Sequence, residues 1–255
     1  MPQPAEHVEK WVRRFHPAPE ARTRLVCLPH AGGSASFFFP LGRALAPTVE
    51  VLAVQYPGRQ DRRHEPVVDT IPDLADQIFE VLCHLDDRPL ALFGHSMGAV
   101  LGYEVALRMA AAGLPAPTRL FASGRRAPSS YRDERVHQLS DSLIVSELRT
   151  LGGVDPAVLA DPEVLAMILP AVRGDYQAVE SYRHDPDRTL ECPLTVLTGD
   201  SDPRVSLDEA RAWARHTTGP TDLEVLSGGH FFLVDQQDRV LEILRQELSS
   251  MRIPS

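Results

Sequence analysis

Leu90-Ala-Leu-Phe-Gly-His-Ser-Met-Gly-Ala-Val-Leu-Gly-Tyr103 is the stretch whose reading decides the fold. Its first four residues, Leu90 to Phe93, form an apolar run with the length of a buried strand. Gly94-His95-Ser96-Met97-Gly98 follows, and Met97, Val100, Leu101 and Val105 then recur at helical spacing. A strand, a G-x-S-x-G turn and a helix in that order describe a nucleophile elbow. The turn must be sharp and strained so that the serine hydroxyl stands clear of the sheet. Glycines on either side let strand and helix approach where a Cβ would collide.

Outward from that stretch, short apolar runs alternate with helical patterns. Leu25–Leu28, Val49–Val54, Thr118–Ser123, Leu194–Leu197 and Leu223–Leu226 are predicted strands. Between the first two, Phe38, Leu41 and Leu45 mark a helix that Ser34 or Ser36 could cap, with Pro40 in its first turn. Ile71–Leu85 is amphipathic, Gly113 stops the elbow helix, Leu207–Trp213 is helical, and Val240 to Leu248 carry a closing helix. Such alternation builds parallel βαβ units, so the fold class is α/β, a mostly parallel sheet with helices on both faces. From about 131 to 190 the alternation pauses and only helices are predicted. There Gly152-Gly153 ends one helix, Asp161-Pro162 starts another, and Pro170 should end or kink it. A helical insertion just before a late strand is where a lid sits. The whole chain, 1–255, reads as a single domain, with Trp11, Val12 and Phe15 pinning the N-terminal segment to its body.

Composition narrows the partners. A 43% hydrophobic and 24% charged chain is that of a soluble protein, and a net charge of −9 argues against nucleic acid. No apolar run approaches the ~20 residues that span a bilayer, so no membrane is expected as a partner. Met1 to His7 lacks the basic and apolar regions of a signal peptide, which makes cytoplasm the expected location. Cys27, Cys83 and Cys192 are scattered and lack metal-ligand spacing, so free thiols are expected.

A serine hydroxyl is a weak nucleophile until a base takes its proton, and imidazole suits that task near neutrality. Downstream of an elbow the partners follow in the order acid, then histidine. Two later strand ends supply them: Thr198-Gly-Asp-Ser-Asp202 offers Asp200 and Asp202, and Ser227-Gly-Gly-His230 offers His230. Asp202 lies further out of its strand, whereas Asp200 could bond the loop backbone. Of the ten histidines, His30 reads as shaping its loop and His95 as turned away from the base's position. His7, His16, His64, His84, His137, His184 and His216 read as surface residues. Two backbone N–H groups must receive the oxyanion. Met97, after the nucleophile, supplies one, and the loop His30-Ala31-Gly32-Gly33 the other, through Ala31 or, second, Gly32.

Five motifs in order now carry a resemblance: Pro29-His-Ala-Gly-Gly33, Gln55-Tyr-Pro-Gly-Arg59, Gly94-His-Ser-Met-Gly98, Gly199-Asp-Ser-Asp202 and Gly228-Gly-His230. Together they resemble the type II thioesterases, free-standing α/β-hydrolases that accompany polyketide and nonribosomal peptide synthases. The likeness runs from about Leu25 to Leu248. It implies a catalytic triad of Ser96, Asp202 and His230 and an oxyanion hole of Ala31 and Met97. It also implies hydrolysis of acyl groups from the phosphopantetheine thiol of acyl or peptidyl carrier proteins. That arm is the substrate's own, so no cofactor of the enzyme is expected. Substrate choice does not carry over, because the lid varies among such relatives. An esterase or lipase, an acyltransferase and a non-catalytic binding module on the same fold are the competing readings. Because carrier proteins are generally acidic, docking calls for a local basic patch. Arg125, Arg126, Arg132 and Arg135, or Arg59, Arg62 and Arg63, could supply it.

Overall fold

The computed structural model describes residues 4–85 and 88–249, so the first three residues of the stretch read for a leader lie outside it. Its strands are β1 (Val12–Arg13), β2 (Thr23–Leu28), β3 (Val49–Val54), β4 (Leu90–His95), β5 (Leu120–Ser123), β6 (Leu194–Gly199) and β7 (Thr221–Leu226). They form one seven-stranded sheet in the order β1-β3-β2-β4-β5-β6-β7. Every neighbouring pair is parallel except β1 with β3. The chain runs outward from β2 to β3 and then crosses back to β4. That reversal lies between β2 and β4, beside the elbow, where open α/β sheets gather their sites.

Period-two alternation sorts the strand side chains into two layers. Val26 and Leu28 of β2, Leu90 and Leu92 of β4, and Leu120 of β5 enter the core under α1 (Pro4–Trp11), α3 (Ile71–Leu82) and α4 (Met97–Ala111). Leu25, Cys27, Ala91, Phe93 and Phe121 face the other way, toward α2 (Phe39–Leu45) and α9 (Gln237–Ser249). Burial of each such leucine contributes about 2 kcal/mol. β4 is buried along its whole length, which is why it reads as a continuous apolar run.

Between β5 and β6 lie α5 (Asp141–Leu151) and α6 (Pro162–Ser181). Their inward residues, among them Ile144, Leu148, Leu169, Val172 and Tyr176, make a small apolar cluster of their own, against which Ala31 packs. α7 (Leu207–Arg211) and α8 (Phe232–Asp235) follow β6 and β7. Among the described residues no helix is long and apolar enough to cross a membrane.

Three local expectations change. α6 runs through Pro170 without ending. Asp161 caps its first turn through the amides of Glu163 and Val164, and Leu169, Val172 and Tyr176 anchor both sides of the proline. That packing offsets a cost of about 3 kcal/mol. Neither Ser34 nor Ser36 caps a helix: their hydroxyls bond one another and Gln60 Nε2, and a tight 3-10 turn over Ala35–Phe38 leads into α2. His216 is buried, not superficial, because it packs edge-on to Tyr103 and Trp213 and its Nε2 lies 2.8 Å from Ser129 Oγ.

Candidate active site

Ser96 sits at φ 54°, ψ −116°, one of two non-glycine residues with positive φ among the described residues. Such a conformation costs of order 1–3 kcal/mol and persists only where the surroundings enforce it. Here the Ser96 N–H donates to Ser123 O at 2.8 Å, and the Ala99 N–H returns to Ser96 O at 3.0 Å. The flanking glycines make the turn possible. A Cβ on Gly94 would stand 2.0 Å from Gly98 O, and one on Gly98 would stand 2.0 Å from Leu28 O. The elbow is therefore clamped between the ends of β2 and β5.

His230 follows β7 and reaches back over the elbow. Its Nε2 lies 3.1 Å from Ser96 Oγ and its Nδ1 lies 2.9 Å from Asp202 Oδ2. Asp202 Oδ1 accepts the Arg204 N–H at 2.8 Å, which fixes a carboxylate side chain that is itself fully buried. Asp200 plays the other part foreseen for it: its Oδ1 accepts the Gly228 N–H at 3.0 Å and ties the β6 turn to the histidine loop. The structure thus brings Ser96, His230 and Asp202 into one line and leaves Asp200 outside it.

The oxyanion candidates lie close by. Gly32 N–H already donates to Asp175 Oδ2 at 2.7 Å. Among the described residues the N–H groups of Ala31 and Met97 have no acceptor, and Met97 is fully buried. Met97 opens α4, where the first amides have no intrahelical acceptor, so its N–H and that of Ala31 are available to an incoming oxygen. A cleft of about 590 Å³, its open mouth included, runs over Ser96 and His230 between Ala31, Leu148, Tyr176 and Val179. Residues of α5 and α6 therefore form its far wall.

His30 and His95 lie beneath His230, with ring centroids of His95 and His230 5.2 Å apart. Burial, then the charges of His230 and Arg59, bring the His30 imidazole down to about 3. Burial likewise holds His95 well below the usual range, its Nδ1 3.0 Å from Ser123 Oγ. Both are neutral at physiological pH, so neither supplies a competing cation. Burial also lowers His216 to about 4. In the unfolded chain these imidazoles take up protons from about pH 6.5 downward, and in the native chain they do not. The stability they allow is complete above pH 6.5 and is lost as pH falls toward the folded values. Urea unfolding at pH 7.5 and pH 5 should show a loss of about 2 kcal/mol for each of His30 and His216. His216→Gln should remove its share of the slope, and equal stability at the two pH values would refute the linkage.

Most members of the two basic patches read from sequence are paired with acids, while Arg63 stays exposed and, among the described residues, donates only to Gln60 O. Arg59 is buried against Asp175, Arg62 against Glu65, and Arg126 against Glu134. Arg132 and Arg135 pair with Glu209 and Asp133. Runs of arginine along the chain are interleaved with acids, and folding pairs most of them. Arg125 has no carboxylate partner among the described residues, yet it faces the cleft rather than an outer surface. Asp175 is not among the residues that the sequence motifs single out. Its signal is a carboxylate on the helix stripe of Leu169, Val172, Tyr176 and Val179, a position that needs a buried partner.

A family profile described as thioesterase domain matches residues 23–248. "Probable cadicidin biosynthesis thioesterase" of Streptomyces griseus is 53% identical over 94% of the chain, which spans 66% of that relative. Thioesterase PikA5 of Streptomyces venezuelae is 47% identical over 93% of this chain and 85% of its own length. Among solved structures, the type II thioesterase BorB from the borrelidin biosynthetic cluster superposes with a TM-score of 0.88. It is 51% identical, with 94% of this chain and 98% of that one covered.

Proposed function

Because the chain belongs to the thioesterase family, we propose that it hydrolyses acyl groups from the phosphopantetheine thioester of acyl or peptidyl carrier proteins. In a polyketide or nonribosomal peptide system that reaction clears stalled or misprimed chains. One observation carries the reading: His230 lies between Ser96 Oγ at 3.1 Å and Asp202 Oδ2 at 2.9 Å, beside a cleft.

Ser96 Oγ attacks the thioester carbonyl while its proton passes to His230 Nε2. Asp202 accepts the Nδ1–H bond, which fixes the tautomer and stabilises the imidazolium. The carbonyl oxygen, now an oxyanion, accepts the Ala31 and Met97 N–H bonds. Collapse breaks the C–S bond, and His230 returns the proton to the departing pantetheine thiol. Water then enters, loses a proton to His230 and attacks the acyl-Ser96 ester. The second collapse releases free acid and restores the serine hydroxyl. Each proton is handled by one imidazole, and the phosphopantetheine arm arrives with the carrier. The apolar wall of Leu148 and Val179 suits an acyl chain.

A panel of acyl-carrier thioesters and simple oxygen esters, followed by product analysis, tests the reading. Free acid should form faster from the carrier thioesters. Preference for the oxygen esters would favour an esterase, and transfer to an added alcohol or amine would favour an acyltransferase.

A further inference from the structure

The Gln55-Tyr56-Pro57-Gly58-Arg59 motif takes no part in the triad, yet its polar groups converge on the loop that carries Ala31. Gln55 Oε1 accepts the Ala35 N–H at 2.8 Å, and the Tyr56 hydroxyl donates to Pro29 O at 3.1 Å. Arg59 Nη1 donates to Gly33 O at 3.1 Å. The same guanidinium forms a two-pronged pair with Asp175, Nη1 to Oδ2 at 2.6 Å and Nη2 to Oδ1 at 2.9 Å. Asp175 Oδ2 in turn accepts the Gly32 N–H. Asp175 has no exposed surface and Arg59 only 7%. The two residues that follow Ala31 are therefore held by one buried ion pair, one of whose members belongs to α6, while Tyr56 holds Pro29 on the other side.

We propose that Arg59 and Asp175 are positioning residues, which aim the Ala31 N–H at the developing oxyanion and make that aim depend on where α6 sits. This inference rests on the hydrolytic reading above. A two-pronged guanidinium–carboxylate pair fixes orientation as well as distance. It takes the Gly32 amide out of competition and leaves Ala31 to donate. A donor must lie within about 2.7–3.1 Å of the oxyanion, so a shift of the loop by an ångström removes most of its effect. Ground-state binding of the acyl chain, which depends on the cleft's apolar wall, should barely change.

The test compares wild type with Asp175→Asn and with the double variant Arg59→Gln/Asp175→Asn. Each is read by kcat and KM on an acyl-carrier thioester, by Kd for an alkylboronic acid, and by melting temperature. The boronic acid forms a tetrahedral adduct with Ser96 that puts an oxygen in the hole. For Asp175→Asn, kcat should fall about 10–100-fold with KM within about twofold, and the boronate Kd should rise by a similar factor. The double variant buries no unpaired charge, so its melting temperature should recover while kcat stays low. Wild-type kcat and boronate affinity in a folded variant would overturn the proposal. So would recovery of kcat together with melting temperature, because the pair would then serve stability alone. If Asp175→Asn does not fold, the double variant decides. Should wild type release no acid from any carrier thioester, the hydrolytic reading fails, and the boronate comparison still decides the positioning role.

Discussion

Ser96→Ala is expected to lower release of free acid from carrier-bound thioesters by at least about 10⁴-fold, with the fold intact. Removing one hydroxyl takes away the side-chain nucleophile that stands within hydrogen-bond distance of His230 Nε2, and among the described residues no neighbouring side chain replaces it. His95 and His30 are neutral and buried, and the three cysteines lie outside the cleft's lining. Alanine inherits the same backbone at φ 54° held by the same amide contacts, so the melting temperature should move by no more than a few degrees. Residual turnover measures what the two N–H donors and binding accomplish alone. A fluorophosphonate should label wild type and leave the variant unlabelled. Equal rates in the two proteins would remove Ser96 from the mechanism altogether.

Much of this site was legible because its chemistry is local to strand ends. Gly94, Ser96 and Gly98 announce a turn that only glycine permits, and the clashes a Cβ would meet there are the physical content of the motif. Asp202 and His230 stand in loops that end predicted strands, and a parallel sheet gathers such loops at one edge. What the sequence hid was long-range pairing. Arg59 and Asp175 are 116 residues apart, and nothing in either neighbourhood names the other. The arginine clusters hide two kinds of pairing: Arg132 meets Glu209 from 77 residues away, whereas Arg126 meets Glu134 only eight residues on, an acid close in the chain whose contact the turn between them decides. β1 has no sequence signature, because two residues are too few for a period, and it is defined by its pairing with Val54 and Ala53. Pro170 does not break α6 because propensity is a local cost and the helix is held by tertiary contacts on either side.

The two aspartates in the turn after β6 allow a sharper test of roles. Asp202→Asn should lower kcat by about 10⁴-fold while the variant stays folded, because the amide offers its NH₂ to His230 Nδ1. That choice puts the ring proton on Nε2, facing Ser96, where it cannot accept the hydroxyl proton. Asp200→Asn, two residues away, should keep kcat within a few-fold and cost about 1 kcal/mol of stability, since it weakens only the bond from Gly228 N–H. Geometry separates the two cleanly: one carboxylate is fully buried and in contact with imidazole, the other exposed and in contact with backbone. Steady-state kinetics and urea unfolding on both variants read the contrast. A large kcat loss in Asp200→Asn with a small one in Asp202→Asn would reverse the assignment of the acid. Similar large losses in both would mean that the turn from β6 acts as a unit, with Asp200 setting where His230 stands.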